Sequence, residues 1–120
     1  EGIAFGMFDN YLSLEKANEN LDSLYVIGGG SQNDKWLEMI ATLIQKKLTI
    51  TEDSSSMAAF GAARIALIGN NNSNLNEVIS KPPIVKTISP NFDKYEILSK
   101  RFQLWKKIYE TNKPLAPSLS

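Results

Sequence analysis

Cysteine and histidine are both missing from the 120 residues. Their absence excludes disulfides, Ser-His-Asp and Cys-His nucleophile machinery, and zinc sites built from the usual ligands. What remains for recognition or catalysis is carboxylate, amide, hydroxyl and backbone chemistry. Net charge is absent too, because thirteen Lys and Arg balance thirteen Asp and Glu. That balance removes any global electrostatic pull toward nucleic acid or an anionic membrane. No apolar run approaches the roughly 18 residues of a membrane span, and no charged, apolar and small-residue signal opens the chain. A soluble cytoplasmic protein is the expectation, with neither nucleic acid nor membrane as partner. At 42% hydrophobic residues, the chain can bury one modest core and not two.

What is present divides into periodic segments. Glu1-Gly2-Ile3-Ala4-Phe5 enters an apolar pattern without an initiator Met or a clear capping residue, which reads as a cut start. Ile3, Met7, Tyr11 and Leu14, widened by Ala4, Phe8 and Leu12, predict an amphipathic helix over residues 2 to 17, ended by Asn18, Asn20 and Asp22. Leu24 to Ile27 is a short apolar run stopped by three glycines, as expected of a buried strand feeding a tight turn. A second helix follows, capped by Asn33 or Asp34, with Trp36, Leu37, Ile40, Leu43 and Ile44 on its buried face and Gln45-Lys46-Lys47 at its negative end. Leu48 to Thr51 is a second β-prone run.

Strand, glycine turn, helix and strand form a βαβ unit, whose right-handed crossover makes the two strands parallel. Ser54-Ser55-Ser56 offers caps for a third helix over 56 to 68, rich in Ala and Gly and able to approach a neighbour closely. Gly69 to Asn76 reads as a surface loop, with at most a turn of helix around Asn76 to Ile79 before Pro82-Pro83. From Pro90 the apolar residues Tyr95, Leu98, Phe102, Trp105 and Tyr109 predict a final helix to about Thr111. Pro114 and Pro117 then mark a frayed tail. The expected fold class is α/β, ordered helix-strand-helix-strand-helix with a further carboxyl-terminal helix. Two short parallel strands do not make a sheet, since parallel sheets carry several strands covered on both faces. The unit is therefore expected to continue upstream of Glu1, and its strands to pair with the missing part of the domain or with another copy in a homo-oligomer.

The turn Gly28-Gly29-Gly30-Ser31-Gln32-Asn33 lies between a strand and a helix amino terminus, the place where α/β sheets bind ligands. Glycines let the backbone approach a planar or phosphorylated ligand, and an Asn amide can both donate to and accept from a purine edge. The dinucleotide fingerprint G-x-G-x-x-G is missed at Asn33, which stands at its last glycine, and Glu52 is the nearest candidate for the ribose-reading acid. The competing reading is a glycine turn needed only for tight packing.

Taken in order, Glu1-Gly2-Ile3-Ala4-Phe5, Ile27-Gly28-Gly29-Gly30-Ser31-Gln32-Asn33 with Trp36 following, and Ala59-Phe60-Gly61-Ala62-Ala63 resemble three motifs of the FGGY carbohydrate kinases. Pro90-Asn91 leading to Tyr95, Phe102, Trp105 and Tyr109 is similar to the terminal helix of the xylulose kinases in that family. The resemblance implies an actin-like, ribonuclease H-like ATPase fold of two domains, of which residues 1 to 112 would be the later part of the second, with 113 to 120 a tail. It implies ATP and Mg²⁺ as cofactors, a small sugar as substrate with xylulose favoured, and nucleotide contacts from Gly29, Gly30 and Asn33 framed by Gly28 and Ser31. Gly61 and Ala62 carry over as a packing motif. The catalytic Asp, the metal-binding Asp and the phosphate hairpins of the family match nothing in this sequence, so the chain alone is expected to be inactive. Glycerol, gluconate and rhamnulose kinases share the motifs present. A nucleotide-binding dehydrogenase domain and a noncatalytic interaction module are the readings of another class.

The remaining residues favour structural roles. Asp34, beside the turn, suits a helix cap more than catalysis. Trp36 suits a core position more than a stacking platform. The seam of the final helix suits docking on its own domain more than a coiled coil, and its Lys94, Lys100, Arg101, Lys106 and Lys107 form a solvated face interrupted by Glu96 and Glu110.

Overall fold

The computed structural model describes residues 1–17, 24–70, 78 and 81–114. The expected helix end at Asn18 to Asp22, most of the Asn-rich loop with the turn after it, and the tail from Leu115 lie outside the described residues. In chain order the elements are α1 (Gly2–Ala17), β1 (Leu24–Val26), a 3-10 turn (Gly29–Gln32), α2 (Asp34–Ile44), β2 (Leu48–Thr51), a 3-10 turn (Ser54–Ser56), α3 (Met57–Gly69), β3 (Ile84–Ile88), a 3-10 turn (Phe92–Lys94) and α4 (Tyr95–Asn112).

β1 and β2 pair in parallel, Leu24 beside Leu48 and Val26 beside Ile50, as the βαβ reading requires. The α/β class and the order of the elements expected from the sequence are thus found. One element was not expected. Residues 84 to 88 form β3, antiparallel to β2 on its outer side, giving the order β1-β2-β3. Ile84-Val85-Lys86-Thr87-Ile88 is β-branched at four of its five positions and bounded by Pro83 and Pro90, which is a legible strand signal once the βαβ pattern is not the sole template. The opposite edge of the sheet, along β1, has no partner among the described residues.

The core lies between α1, α2 and α4 and the face of β2 beneath them. Ala4, Phe5, Phe8 and Tyr11 of α1 are buried, against Leu37, Ile40 and Ala41 of α2 and Leu98 and Phe102 of α4. Of the expected stripe of α1, Ala4, Phe8 and Tyr11 face inward, while Ile3, Met7 and Leu14 are exposed. Two neighbours, α2 and α4, claim the inner rows of α1, and the outer row falls on the open side of the sheet. Phe102 is 2% exposed. Its ring meets Phe8 edge-on at 4.8 Å and stacks on Trp105 at 5.9 Å, a geometry that adds to the gain from area burial alone. The final helix thus docks on its own domain, through Leu98, Phe102 and Trp105.

Thr42 joins α2 to the chain entering α4. Fully buried, its hydroxyl donates to the Glu38 carbonyl at 2.6 Å and accepts from the Asn91 N–H at 3.0 Å, so the hydroxyl is satisfied where water cannot reach. α2 stops at Gln45, which takes a left-handed conformation (φ 55°) and donates its N–H to the Thr42 carbonyl at 3.3 Å.

α3 behaves differently. It has small and apolar side chains with Arg64 as its one charge, yet none of its residues is buried. The close neighbour expected for it is not present among the described residues. The serines ahead of it do not cap it either, because Ser54–Ser56 coil into a 3-10 turn and Ser56 makes no side-chain cap bond.

Candidate functional site

β1 and β2 run parallel, so their carboxyl ends open on the same side, and each is followed by a short 3-10 turn. The two turns are laced together. The Gly28 N–H donates to the Ser54 carbonyl at 2.7 Å, and the Ser54 hydroxyl donates to the Ser31 hydroxyl at 2.9 Å in a buried contact. Within the first turn the Ser31 N–H reaches the Gly28 carbonyl at 3.0 Å and the Asn33 N–H the Gly30 carbonyl at 3.2 Å. The glycine turn is therefore a fixed structure, held from beneath by the segment that follows β2.

The three glycines have three different reasons to be glycine. Gly28 sits at φ 87°, where a side chain is strained. A Cβ at Gly30 would stand 2.6 Å from Cζ3 of Trp36, so that absence lets the indole close under the turn. Gly29 has neither reason: its φ is ordinary, a Cβ there would meet nothing within 4 Å, and the residue is exposed. The packing reading of the turn thus accounts for Gly28 and Gly30 and leaves Gly29 over. Trp36 is half-buried and packs against the core, as expected of it.

Asn33 is the cap of α2. Its side-chain carbonyl accepts the Trp36 N–H at 3.1 Å at an exposed position, which fixes the amide at the mouth of the turn. Asp34 is not the cap. It occupies the first position of α2, and its carboxylate pairs with the Lys86 ammonium from β3. Sequence reasoning missed Lys86 because it missed the strand that carries it. Ser54 was also missed as the partner of Ser31, since nothing local signals a bond between residues 23 apart.

Beside the turns, at the end of β2, lies a polar hollow of about 510 Å³ lined by Ser31, Gln32, Asp34, Glu52, Asp53 and Ser54 among others, within the range of small-molecule sites. An apolar groove of about 370 Å³ lies on the far side, between α1, α2 and the open edge of β1, and Gly30 and Trp36 border it. Ser31, buried, faces the hollow and Gly30 the groove, so the turn divides the two. Among the described residues no group of three or more acidic side chains is placed to hold a metal ion. At the start of and along α4, Lys94 pairs with Glu38 at 2.7 Å, Lys100 with Glu96 at 2.6 Å, Arg101 with Glu1 and Lys106 with Asp9 at 3.9 Å, all surface pairs consistent with a solvated face.

Residues 1–69 match the family model for the C-terminal domain of the FGGY family of carbohydrate kinases. The chain belongs to that family. This FGGY chain is 25% identical over 116 residues to the xylulose kinase of Escherichia coli K12, a match covering 96% of the chain and 24% of the relative. It is 28% identical over 124 residues to the xylulose kinase of Bacillus subtilis 168, covering 99% and 24%. Among solved structures, a xylulose kinase from Brucella ovis superposes with a TM-score of 0.76 at 31% identity, covering 94% of the chain and 24% of that protein. A ligand-bound xylulose kinase from Lactobacillus acidophilus superposes at 0.71 with 22% identity, a likeness of fold. The FGGY chain thus spans about a quarter of the length of these relatives. Its α4 lies beyond the residues matched by the family model and within the reach of the xylulose kinase matches. No helix among the described residues is long and apolar enough to cross a membrane.

Proposed function

We propose that the chain is the adenine side of the nucleotide cleft of a cytoplasmic, ATP-dependent sugar kinase that transfers the γ-phosphoryl group to a hydroxyl of xylulose. Residues 1 to 112 are then the later part of its second domain, and 113 to 120 a tail. The observation that carries the reading is Gly29: an exposed glycine for which neither backbone conformation nor packing gives a reason. A ligand lying against the main chain supplies that reason.

The chain's own residues divide the work. Gly28 turns the backbone, Gly30 seats Trp36, and Ser31 anchors the turn from below through Ser54. Gly29 leaves the main chain bare for a flat base, and Asn33, its carbonyl committed to the helix cap, offers the amide N–H₂ to the purine edge. ATP supplies the phosphoryl group, and Mg²⁺ when bound neutralises its charge. No carboxylate of this chain is assigned to that metal or to the sugar hydroxyl, so the chain by itself is inactive. The unpaired edge of β1 is completed by the remainder of the kinase domain, since an open edge of apolar residues is a site for strand addition.

The test uses Asn33→Asp in the complete kinase. Aspartate caps a helix as well as asparagine does, so the melting temperature should hold, while the KM for ATP rises by about tenfold or more, the loss of one good hydrogen bond to the base. The KM for xylulose should not move. An equal rise for both substrates, or none for ATP, removes Asn33 from the nucleotide site. Turnover of glycerol, gluconate or rhamnulose in preference to xylulose would keep the kinase and replace its sugar.

A further inference from the structure

Two serines far apart in the chain meet behind the glycine turn. Ser31 and Ser54 are 4% and 3% exposed, and the Ser54 hydroxyl donates to the Ser31 hydroxyl at 2.9 Å across 23 positions. A second bond runs from the Gly28 N–H to the Ser54 carbonyl at 2.7 Å, so Ser54 holds the turn at two points. Ser54 is itself held. Asp53 before it takes a left-handed backbone (φ 55°), a conformation Asp tolerates, and its carbonyl accepts the Ser56 N–H at 2.9 Å to close the second turn. Among the described residues between Thr51 and Ile88, Ser54 alone is buried.

Burial alone does not call for hydroxyls at this place. Two alanines would fill nearly the same space, and exchanging both partners of a buried hydrogen bond for apolar groups is close to neutral in stability. What the hydroxyl pair adds is direction. It fixes the distance and angle between two loops that a contact of methyl groups would leave free to slide. The turn fixed in this way carries the bare main chain at Gly29 and, two residues beyond Ser31, the Asn33 amide. We propose that Ser54 is a positioning residue for the nucleotide, acting through Ser31 rather than on the ligand, and holding Gly29 and Asn33 in the register that a purine needs. The proposal rests on the reading of this turn as the adenine site, and adds to it a residue outside the turn that sets its affinity.

A double-mutant cycle in the complete kinase tests it. Ser54→Ala and Ser31→Ala should each lower the melting temperature and raise the KM for ATP by about three- to tenfold, the range for one unmade hydrogen bond, with the KM for xylulose unmoved. The double variant decides between positioning and stability. With no hydroxyl left unpartnered it should regain the melting temperature that the single variants lose, while its KM for ATP stays as high as theirs. It also carries the test if a single variant melts too low to assay. A KM for ATP that recovers together with the melting temperature makes the pair merely structural and overturns the proposal, as does an equal rise for xylulose. Asn33→Asp separates this outcome from the reading beneath it. A raised KM for ATP in that variant with none in the double serine variant removes only the role of Ser54, whereas no rise at Asn33 removes the nucleotide site and this proposal with it.

Discussion

The α1–α2–α4 layer and α3 are both helical and both rich in apolar residues, yet one buries its side chains and the other buries none. In the first, each helix offers a defined face, and two neighbours arrive to cover it. α3 is apolar on nearly every side, the pattern of a helix surrounded by protein, and no neighbour covers it among the described residues. A helix's composition says that it must be covered, and only its neighbours say by what.

The contrast can be broken most directly at its two extremes. Phe102→Ala should cost about 3–5 kcal/mol in chemical denaturation, the range for a large aromatic in a closed core. Ile65→Ala on α3, where the residue is 73% exposed, should stay within about 0.5 kcal/mol. A comparable loss at both positions would mean that α3 packs in solution in a way the structure does not contain.

Glycine sharpens the same comparison at a smaller scale. Gly30→Ala forces a methyl group against the Trp36 ring and should destabilise by about 1–3 kcal/mol. Gly61→Ala, in the middle of α3 with open space around it, should stabilise by about 0.8–1 kcal/mol through helix propensity alone. Opposite signs in thermal melts are the expected outcome, and equal signs would erase the distinction between a packed glycine and an idle one.

The smallest effect is electrostatic and belongs to the packed layer. Hydrogen bonding from the Lys94 ammonium, then from the Asn91 amide, holds the Glu38 carboxyl below the usual carboxylate range. A depressed folded value means stability that is present above that ordinary range and lost as pH falls through it toward the folded value. The gap in urea midpoint between the wild type and Glu38→Gln should therefore be widest near neutrality and close below about pH 4. A gap independent of pH would show that the Lys94 contact contributes nothing through charge.

Local signals reached a long way. Periodicity located α1, α2 and α4, a run rich in Ala and Gly located α3, the glycine stop located β1, and the strand-turn-helix order made β1 and β2 parallel. Each of these depends on residues within a few positions of one another, where spacing is chemistry enough. The turn residues 28 to 33 were legible as a candidate site for the same reason. What failed was whatever depended on a distant partner. β3 exists because β2 had a free edge, the inner face of α1 was chosen by where α2 and α4 arrived, and Asp34 gave up the cap to Asn33 and joined Lys86 across 52 positions. By itself the sequence determined the elements and the bare backbone at Gly29. Only tertiary structure decided which glycine serves packing and which has no packing neighbour, because that depends on where the Trp36 ring comes to rest.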